Sequence, residues 1–284
     1  MQAQLLKRAF PLMRIVAYGA AVVAVAALVT THPRAQDGRG GGPASLTLID
    51  DLVVGNRILA NEGILDGLGH ISVRLDSRPD RFLLARDLAP LLVTAADLME
   101  YDLDGNPVDQ RGRQMYQERF IHSTIYKARP DVRSIVHAHT PSVLTFADSS
   151  VPLRPMYHMA SFLAGGVPLF EIRKVEGSQG MLVNNVQLGT ALAQTLGSRP
   201  VALMRGHGVV IVGPSIPEAV SRSIFLDVNA RVQLQAVALG GTIAYLTPQD
   251  VAVAVPQGGG QTAAQPTTNY PRSWPYWKER AMGR

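Results

Sequence analysis

Apolar residues recur at helical spacing from Thr47 to Asn61 (Leu48, Leu52, Ile58, Leu59), and Gly63 follows as a stop, which predicts a first helix. Beyond it the period shortens to two. HISVRL at 70–75 and RFLLAR at 81–86 read as paired strands around a Ser-Arg-Pro-Asp turn, and Tyr101 to Val108 carries Asp104-Gly105, a hairpin signal. The helical period returns from Arg113 to Ala128 and closes at Arg129-Pro130, leading into a strand at SIVHAHT, residues 134–140. Pro141 suits the first turn of the next helix, where its missing N–H needs no partner. Asn185 to Leu196 is a further helix, VALM and VVIV are strands on either side of RGHG, and Ser215-x-x-Glu218 is a capping box opening a long helix to about Leu239. Helices and short strands thus alternate without an internal repeat.

The two ends of the chain differ from this middle. Lys7, Arg8 and Arg14 precede an apolar run from Ile15 to Val29, and polar residues then lead to Pro33-Arg34-Ala35. A membrane span needs about 20 apolar residues, so the run fits the core of a signal peptide, residues 1–35, with cleavage after Ala35. Pro33 stands where a small residue is usual, which keeps an uncleaved anchor as the alternative. The expected location is periplasmic or secreted, with no membrane association once the signal is removed. A glycine-rich linker at 36–46 follows. At the other end, 248–284, a Gly/Gln/Thr/Pro stretch leads to Tyr270, Trp274, Tyr276 and Trp277, aromatics that seldom stay solvated and are expected to dock on the body.

Composition narrows the chemistry. Removing the four cations of residues 1–35 (Lys7, Arg8, Arg14, Arg34) from the formal +5 leaves +1, which gives no support to a nucleic-acid partner. The chain has no cysteine, so disulfides and thiolate metal sites are excluded and any bound metal is held by imidazole and oxygen. His137 and His139, two apart in an extended segment, leave the same face with Cα atoms about 6.5–7 Å apart, a two-point clamp for one ion. The third ligand must come from elsewhere, and His207 in MRGHGVV is the candidate. Glu118, on the helix predicted over 113–128, is the oxygen candidate.

The run from Glu118 through Tyr126, Arg129-Pro130-Asp131 and His137-x-His139, followed by Arg205-Gly206-His207-Gly208, resembles the class II aldolase/adducin family over roughly residues 47–247, with Glu118 nineteen residues before His137. The resemblance implies that His137, His139 and His207 are metal ligands and that Glu118 is the acid/base, touching the metal when no substrate is bound. It implies an α/β fold, a three-layer α/β/α sandwich around a mainly antiparallel sheet. It also implies a homotetramer with active sites between subunits. The ion is Zn2+ by preference for three imidazoles, with Mn2+, Fe2+ and Co2+ as alternatives.

The departures from the sugar-phosphate aldolases matter equally. Where those enzymes hold phosphate, this chain has GHIS (Gly69, His70, Ser72), ARDL (Arg86, Asp87) and YQE (Tyr116, Gln117, Glu118). Small phosphate donors are missing, and Arg86 suits a carboxylate. With GHISVR, RFLLAR, VPLRPMYHM and a Trp-containing tail, the chain most resembles the decarboxylase branch acting on 2-hydroxy-3-carboxymuconic semialdehyde or 3,4-dihydroxyphthalate. The function so implied is decarboxylation of a hydroxylated aromatic or muconic-type carboxylic acid through a metal-bound enolate, with Glu118 or His158 giving the proton. His158 falls where the aldolases place a tyrosine from a neighbouring subunit. His70, Ser72 and Arg86 are the substrate-binding candidates, although His70 and Arg86 also read as turn and surface residues. His122, one turn after Glu118, either orients a ligand or packs in the core. The alternatives are an aldolase acting on a non-phosphorylated hydroxy-carbonyl compound, an epimerase or dehydratase, and a non-catalytic adducin-like module. Epimerases of the family carry aspartate at the Glu118 position, and loss of the histidines would mark the binding module.

Overall fold

The computed structural model describes residues 44–254 and 270–283. The signal segment, most of the linker at 36–46 and the Gly/Gln/Thr/Pro stretch of the tail lie outside the described residues. Among the described residues, no helix is long and apolar enough to cross a membrane.

Among the described residues, seven α-helices and seven strands follow in the order α1 (Leu46–Asn61), β1 (His70–Arg74), β2 (Arg81–Ala85), β3 (Leu98–Asp102), α2 (Arg119–Ala128), β4 (Ser134–Ala138), α3 (Pro141–Ala147), β5 (Leu169–Phe170), α4 (Val186–Leu196), β6 (Val201–Met204), β7 (Gly208–Gly213), α5 (Ile216–Leu239), α6 (Pro248–Ala254) and α7 (Tyr270–Ala281). The strands form one sheet in the order β3-β2-β1-β4-β7-β6-β5, antiparallel throughout except for the β5–β6 edge. Alternation along each strand splits the core in two. Ile71, Val73, Val136, Val209 and Ile211 face a layer with α1, α3 and α5, whereas Phe82, Leu84, Ile135, Val210 and Val212 face the layer with α2 and α4. The expected α/β/α sandwich with a mainly antiparallel sheet is the observed fold.

Helix starts follow the local chemistry. Ser45, Asn185 and Ser215 each accept a hydrogen bond from a first-turn N–H of α1, α4 and α5, and Gly240 closes α5 in the left-handed conformation. α7 docks through its tryptophans: Trp277 is buried against α1 and α5, with its ring 5.8 Å from that of Phe225, and Trp274 is partly buried, whereas Tyr276, expected to dock with them, is 59% exposed.

Two local expectations are corrected, and one is met in reduced form. The helix read from Arg113 begins only at Arg119, because the preceding residues are pinned across the sheet edge: Arg113 donates to the Ala96, Leu98 and Asp109 carbonyls, and the Tyr116 hydroxyl donates to the Leu88 carbonyl. Asp104-Gly105 does turn the chain back antiparallel to β3, but the hairpin is short, with the Asp102 N–H on the Asn106 carbonyl and the Val108 N–H on the Glu100 carbonyl, each at 2.9 Å. The Asp102 carboxylate collects the N–H groups of Asp104 and Asn106, and pairing on the far side is limited to one bridge, Tyr101 to Pro107. His139 lies beyond the end of β4, and β4 is central in the sheet, between β1 and β7.

Candidate metal centre and substrate cleft

Four elements end at one place. Glu118 is the N-cap residue of α2, His137 sits near the end of β4, His139 just past it, and His207 in the turn from β6 to β7. That turn needs its glycines: Gly206 has φ of +64°, and a Cβ on Gly208 would lie 2.3 Å from the Ala138 carbonyl oxygen and 3.1 Å from His139 Cδ2. β7 can therefore approach β4 closely enough to set His207 beside His139, their rings stacked at 5.4 Å.

One ligand atom from each of Glu118, His137, His139 and His207 lies within 4.8 Å of the other three. His137 Nδ1 is 3.2 Å from the Val209 carbonyl oxygen and His139 Nδ1 is 3.3 Å from both oxygens of Asp66, so both Nδ1 atoms carry the hydrogen and both Nε2 atoms are bare. The two Nε2 atoms face each other at 3.1 Å. Lone pairs at that distance repel unless a cation or proton lies between them. His207 Nε2 is 3.2 Å from Glu118 Oε2 without being aligned for a hydrogen bond, and neither of its buried ring nitrogens has a hydrogen-bond partner. An orphaned buried imidazole next to converging lone pairs and a carboxylate is a set of donors that fits a divalent ion, and three nitrogens with one oxygen suit zinc, manganese, iron or cobalt.

Glu118 is oriented from behind. Its Oε1 accepts the Val183 N–H at 2.8 Å, which turns Oε2 toward His137, at 3.5 Å, and His207. Burial opposes its ionisation, but the electrostatic pull of the His137 and His207 rings facing Oε2 outweighs burial and holds the carboxyl well below its ordinary range. Burial and the neighbouring imidazoles push His139 and His70 down. Burial opposes ionisation of Asp66 too, yet the N–H groups of Leu68 and Gly69, at 2.8 and 2.9 Å, bring its carboxyl below the ordinary range.

The cluster floors a cleft of about 410 Å³. Asp66, Leu68, His70, Asp87, Tyr116, Gln117 and Leu182 line the rest of it, with the His70 and Tyr116 rings in contact at 4.5 Å. Among the described residues, no lysine or arginine lines it.

The structure brings the four ligand candidates and His70 together and leaves the other candidates elsewhere. Ser72, expected to bind substrate, is fully buried behind His70 and bonded to His122 and Tyr126. Arg86, expected at a substrate carboxylate, does not line the cleft: β2 ends at Ala85, and the Arg86 guanidinium turns to Asp97 at 2.7 Å, so that Asp87 faces in instead. His158 is exposed at the start of a short 3-10 segment and is not among the residues lining this cleft. Arg205 pairs with Glu171 at 3.2 Å. His122 is bonded to His70 rather than to a ligand histidine. Sequence reasoning missed Asp66, which orients His139, although Asp-Gly-Leu-Gly after α1 is a turn signal whose aspartate caps two N–H groups.

The sandwich and its three-histidine, one-glutamate corner define a lyase-type scaffold with room for one small substrate. The family model of the class II aldolase and adducin N-terminal domain matches residues 50–234. The chain belongs to the class II aldolase and adducin family. It is 40% identical over 215 residues to decarboxylase tropJ of Talaromyces stipitatus, covering 71% of this chain and 80% of that one. It is 34% identical over 218 residues to the 3,4-dihydroxyphthalate decarboxylase of Arthrobacter keyseri, covering 72% and 84%. Among solved structures, L-fuculose 1-phosphate aldolase from Glaciozyma antarctica PI12 superposes with a TM-score of 0.67 at 26% identity, over 87% of this chain and 96% of that one.

Proposed function

We propose that this carbon–carbon lyase is a divalent-metal-dependent decarboxylase of a hydroxylated aromatic or muconic-type carboxylic acid. The observation that carries the reading is the convergence of Glu118, His137, His139 and His207 under a cleft without lysine or arginine among the described residues. Such a cleft offers a phosphate no fixed cation, while Leu68, Leu182 and Tyr116 supply apolar surface for a flat ring. The relatives named decarboxylases support the same choice.

His137, His139 and His207 would hold the ion, with Glu118 beside it. When bound, the ion supplies Lewis-acid stabilisation for negative charge developing on a substrate oxygen, an effect of several kcal/mol. The chain's own residues do the rest. Asp66 keeps His139 in the tautomer that leaves Nε2 bare, and the Val209 carbonyl does the same for His137. Glu118 Oε2 faces the reacting region while Oε1 is tethered, so one oxygen is free to take a proton from a substrate hydroxyl and return it to carbon. The carbon–carboxyl bond breaks, CO2 departs, and the electron pair left on carbon takes that proton. In this reading the chain is exported through residues 1–35 and assembles as a homotetramer in which the exposed His158 serves a neighbouring copy's cleft.

An aldolase acting on a non-phosphorylated hydroxy-carbonyl substrate is the second reading, favoured by the structural likeness to L-fuculose 1-phosphate aldolase. An adducin-like binding module is disfavoured by the complete ligand set. The test is metal analysis of the purified protein, followed by CO2 release from 3,4-dihydroxyphthalate and related acids measured against cleavage of hydroxyaldehydes. Stoichiometric metal with CO2 release is expected. Cleavage of hydroxyaldehydes alone would select the aldolase, and an inert protein without metal would sink both readings.

A further inference from the structure

Behind the cleft, four buried side chains form a chain that the reaction outlined above leaves without a task. His70 Nδ1 lies 2.7 Å from His122 Nε2, His122 Nδ1 lies 2.6 Å from Ser72 Oγ, and Ser72 Oγ lies 2.8 Å from Tyr126 Oη. None of the four is more than 2% exposed. β1 supplies His70 and Ser72 from one face, two residues apart, and α2 supplies His122 and Tyr126 from one face, four apart. Only His70 of the four lines the cleft, and with Nδ1 engaged by His122, Nε2 is the ring nitrogen left to face it.

Each link shares a single hydrogen, and a Ser72 hydroxyl accepting from both His122 and Tyr126 would leave its own buried hydrogen without an acceptor, so one direction runs through the chain and is set at its ends. Run outward, Tyr126 donates to Ser72, Ser72 to His122 and His122 to His70, and His70 presents Nε2–H to the cleft. Run inward, His70 presents a lone pair and Tyr126 must donate to the Arg133 carbonyl. That carbonyl is 3.4 Å away, long for a hydroxyl donor, and already accepts the Arg74 N–H at 2.8 Å. The cleft end points the same way, because Asp66, Asp87 and Glu118 line it and carboxylates favour a facing N–H over a facing lone pair. Run outward, each ring donates through Nε2 and accepts at Nδ1, so each carries one hydrogen and both are neutral, as their burial favours.

We infer that His70 is a neutral N–H donor that recognises the substrate's carboxylate, and that His122, Ser72 and Tyr126 are positioning residues that hold it in the Nε2–H tautomer. The inference rests on the decarboxylase reading and deepens it. A carboxylate held by a fixed cation gives up a strong attraction as it becomes neutral CO2, which raises the barrier. Held by a neutral N–H, it gives up less.

The test uses the zinc-reconstituted full chain, with phthalate as the probe. By titration calorimetry, His70→Phe weakens phthalate binding about 10- to 100-fold, the loss expected for a hydrogen bond to a charged group. His70→Gln, which carries an N–H at similar reach, recovers it to within about fivefold of wild type. Zinc content is unchanged in both. On the folded wild type, nitrogen-15 NMR of the imidazoles finds His70 and His122 neutral and both in the Nε2–H form from pH 6 to 8, and Ser72→Ala abolishes the single tautomer at His122. Undiminished phthalate binding by His70→Phe, or His70 found as the Nδ1–H tautomer or as a cation, overturns the inference. The NMR arm decides even if a variant does not fold. A wild type that binds phthalate through His70 but releases CO2 from no hydroxylated acid loses the decarboxylase reading and keeps the donor. CO2 release with His70 in the Nδ1–H form does the reverse.

Discussion

On the side of the sheet covered by α1, α3 and α5, the central strands present Ile71, Val73, Val136, Ala138, Val209 and Ile211, and the helices answer with Leu52, Ile58, Leu59 and Val220. On the side covered by α2 and α4, the same strands bury His70, Ser72, Arg74 and His137 beside ordinary apolar residues. On the first face the strands contribute volume and apolar area, which have no direction, and the buried polar groups of that layer, such as the Arg222–Glu218 pair, stand on α5. The second is held by partners at fixed angles. Arg74 alone donates to the carbonyls of Val132 and Arg129, at 3.0 and 3.1 Å, and lies over the Tyr126 ring at 4.7 Å. Burying Ser72 and Arg74 there is affordable because each is met, and removing one partner leaves an orphan that costs about 1–3 kcal/mol. The polar face can therefore orient chemistry, and the apolar face can only support it.

Substitutions on the two faces should fail differently, and the largest difference is at the ligands. His137→Ala removes a nitrogen from the centre. Bound metal measured by elemental analysis falls to background, and turnover drops by about 10³-fold or more, while the fold by circular dichroism persists. Retained metal and turnover would end the lyase reading. Glu118→Gln keeps the metal and lowers kcat by about 10²- to 10⁴-fold, the range of a lost acid/base, so an unchanged rate removes Glu118 from the mechanism. On the apolar face, Leu52→Ala at a fully buried position costs about 2–5 kcal/mol in denaturant unfolding while leaving activity per folded molecule unaltered. If Leu52→Ala instead lowers kcat at constant stability, the contrast between the faces is wrong.

Acid should act on the polar face first. The unfolded chain takes a proton at His122 below its ordinary value near 6.5, and the folded chain refuses it until about 3. A group whose folded value is depressed contributes stability above the unfolded value and loses it as pH falls, so unfolding free energy should drop through this window, by about 2 kcal/mol at pH 5 from His122 alone. His122→Phe flattens that slope in urea titrations run from pH 7 to pH 5. The smallest effect belongs to the support: Ser215→Ala removes the α5 cap and lowers stability by about 1 kcal/mol without touching metal content.

How far the site was legible depended on where the backbone runs. His137, His139 and His207 were readable because their spacing and the RGHG turn are local, and Glu118 only through the family resemblance, which implies a glutamate nineteen residues before the first histidine. Its position at a helix cap rather than within a helix was not, since Arg113 and Tyr116 hold the preceding residues against a distant edge of the sheet. Arg86 and Asp87 show the limit most clearly. Adjacent in sequence, they divide at the end of β2, and Asp97 captures the arginine while the aspartate turns inward. Periodicity says nothing about which side chain takes which direction once a strand has ended.

The order of helices and strands, the caps at Ser45, Asn185 and Ser215, the docking tryptophans of the tail and the imidazole-and-oxygen character of any metal site all follow from local residue types, because propensity, capping and alternation act over a few residues. Folding alone decided that Ser72 and His122 lie behind the cleft, that Asp66 supports His139 and that no arginine or lysine lines the cleft among the described residues. Those outcomes depend on contacts between segments fifty or more residues apart, and on a competition for hydrogen-bond partners that begins only once the sheet has closed.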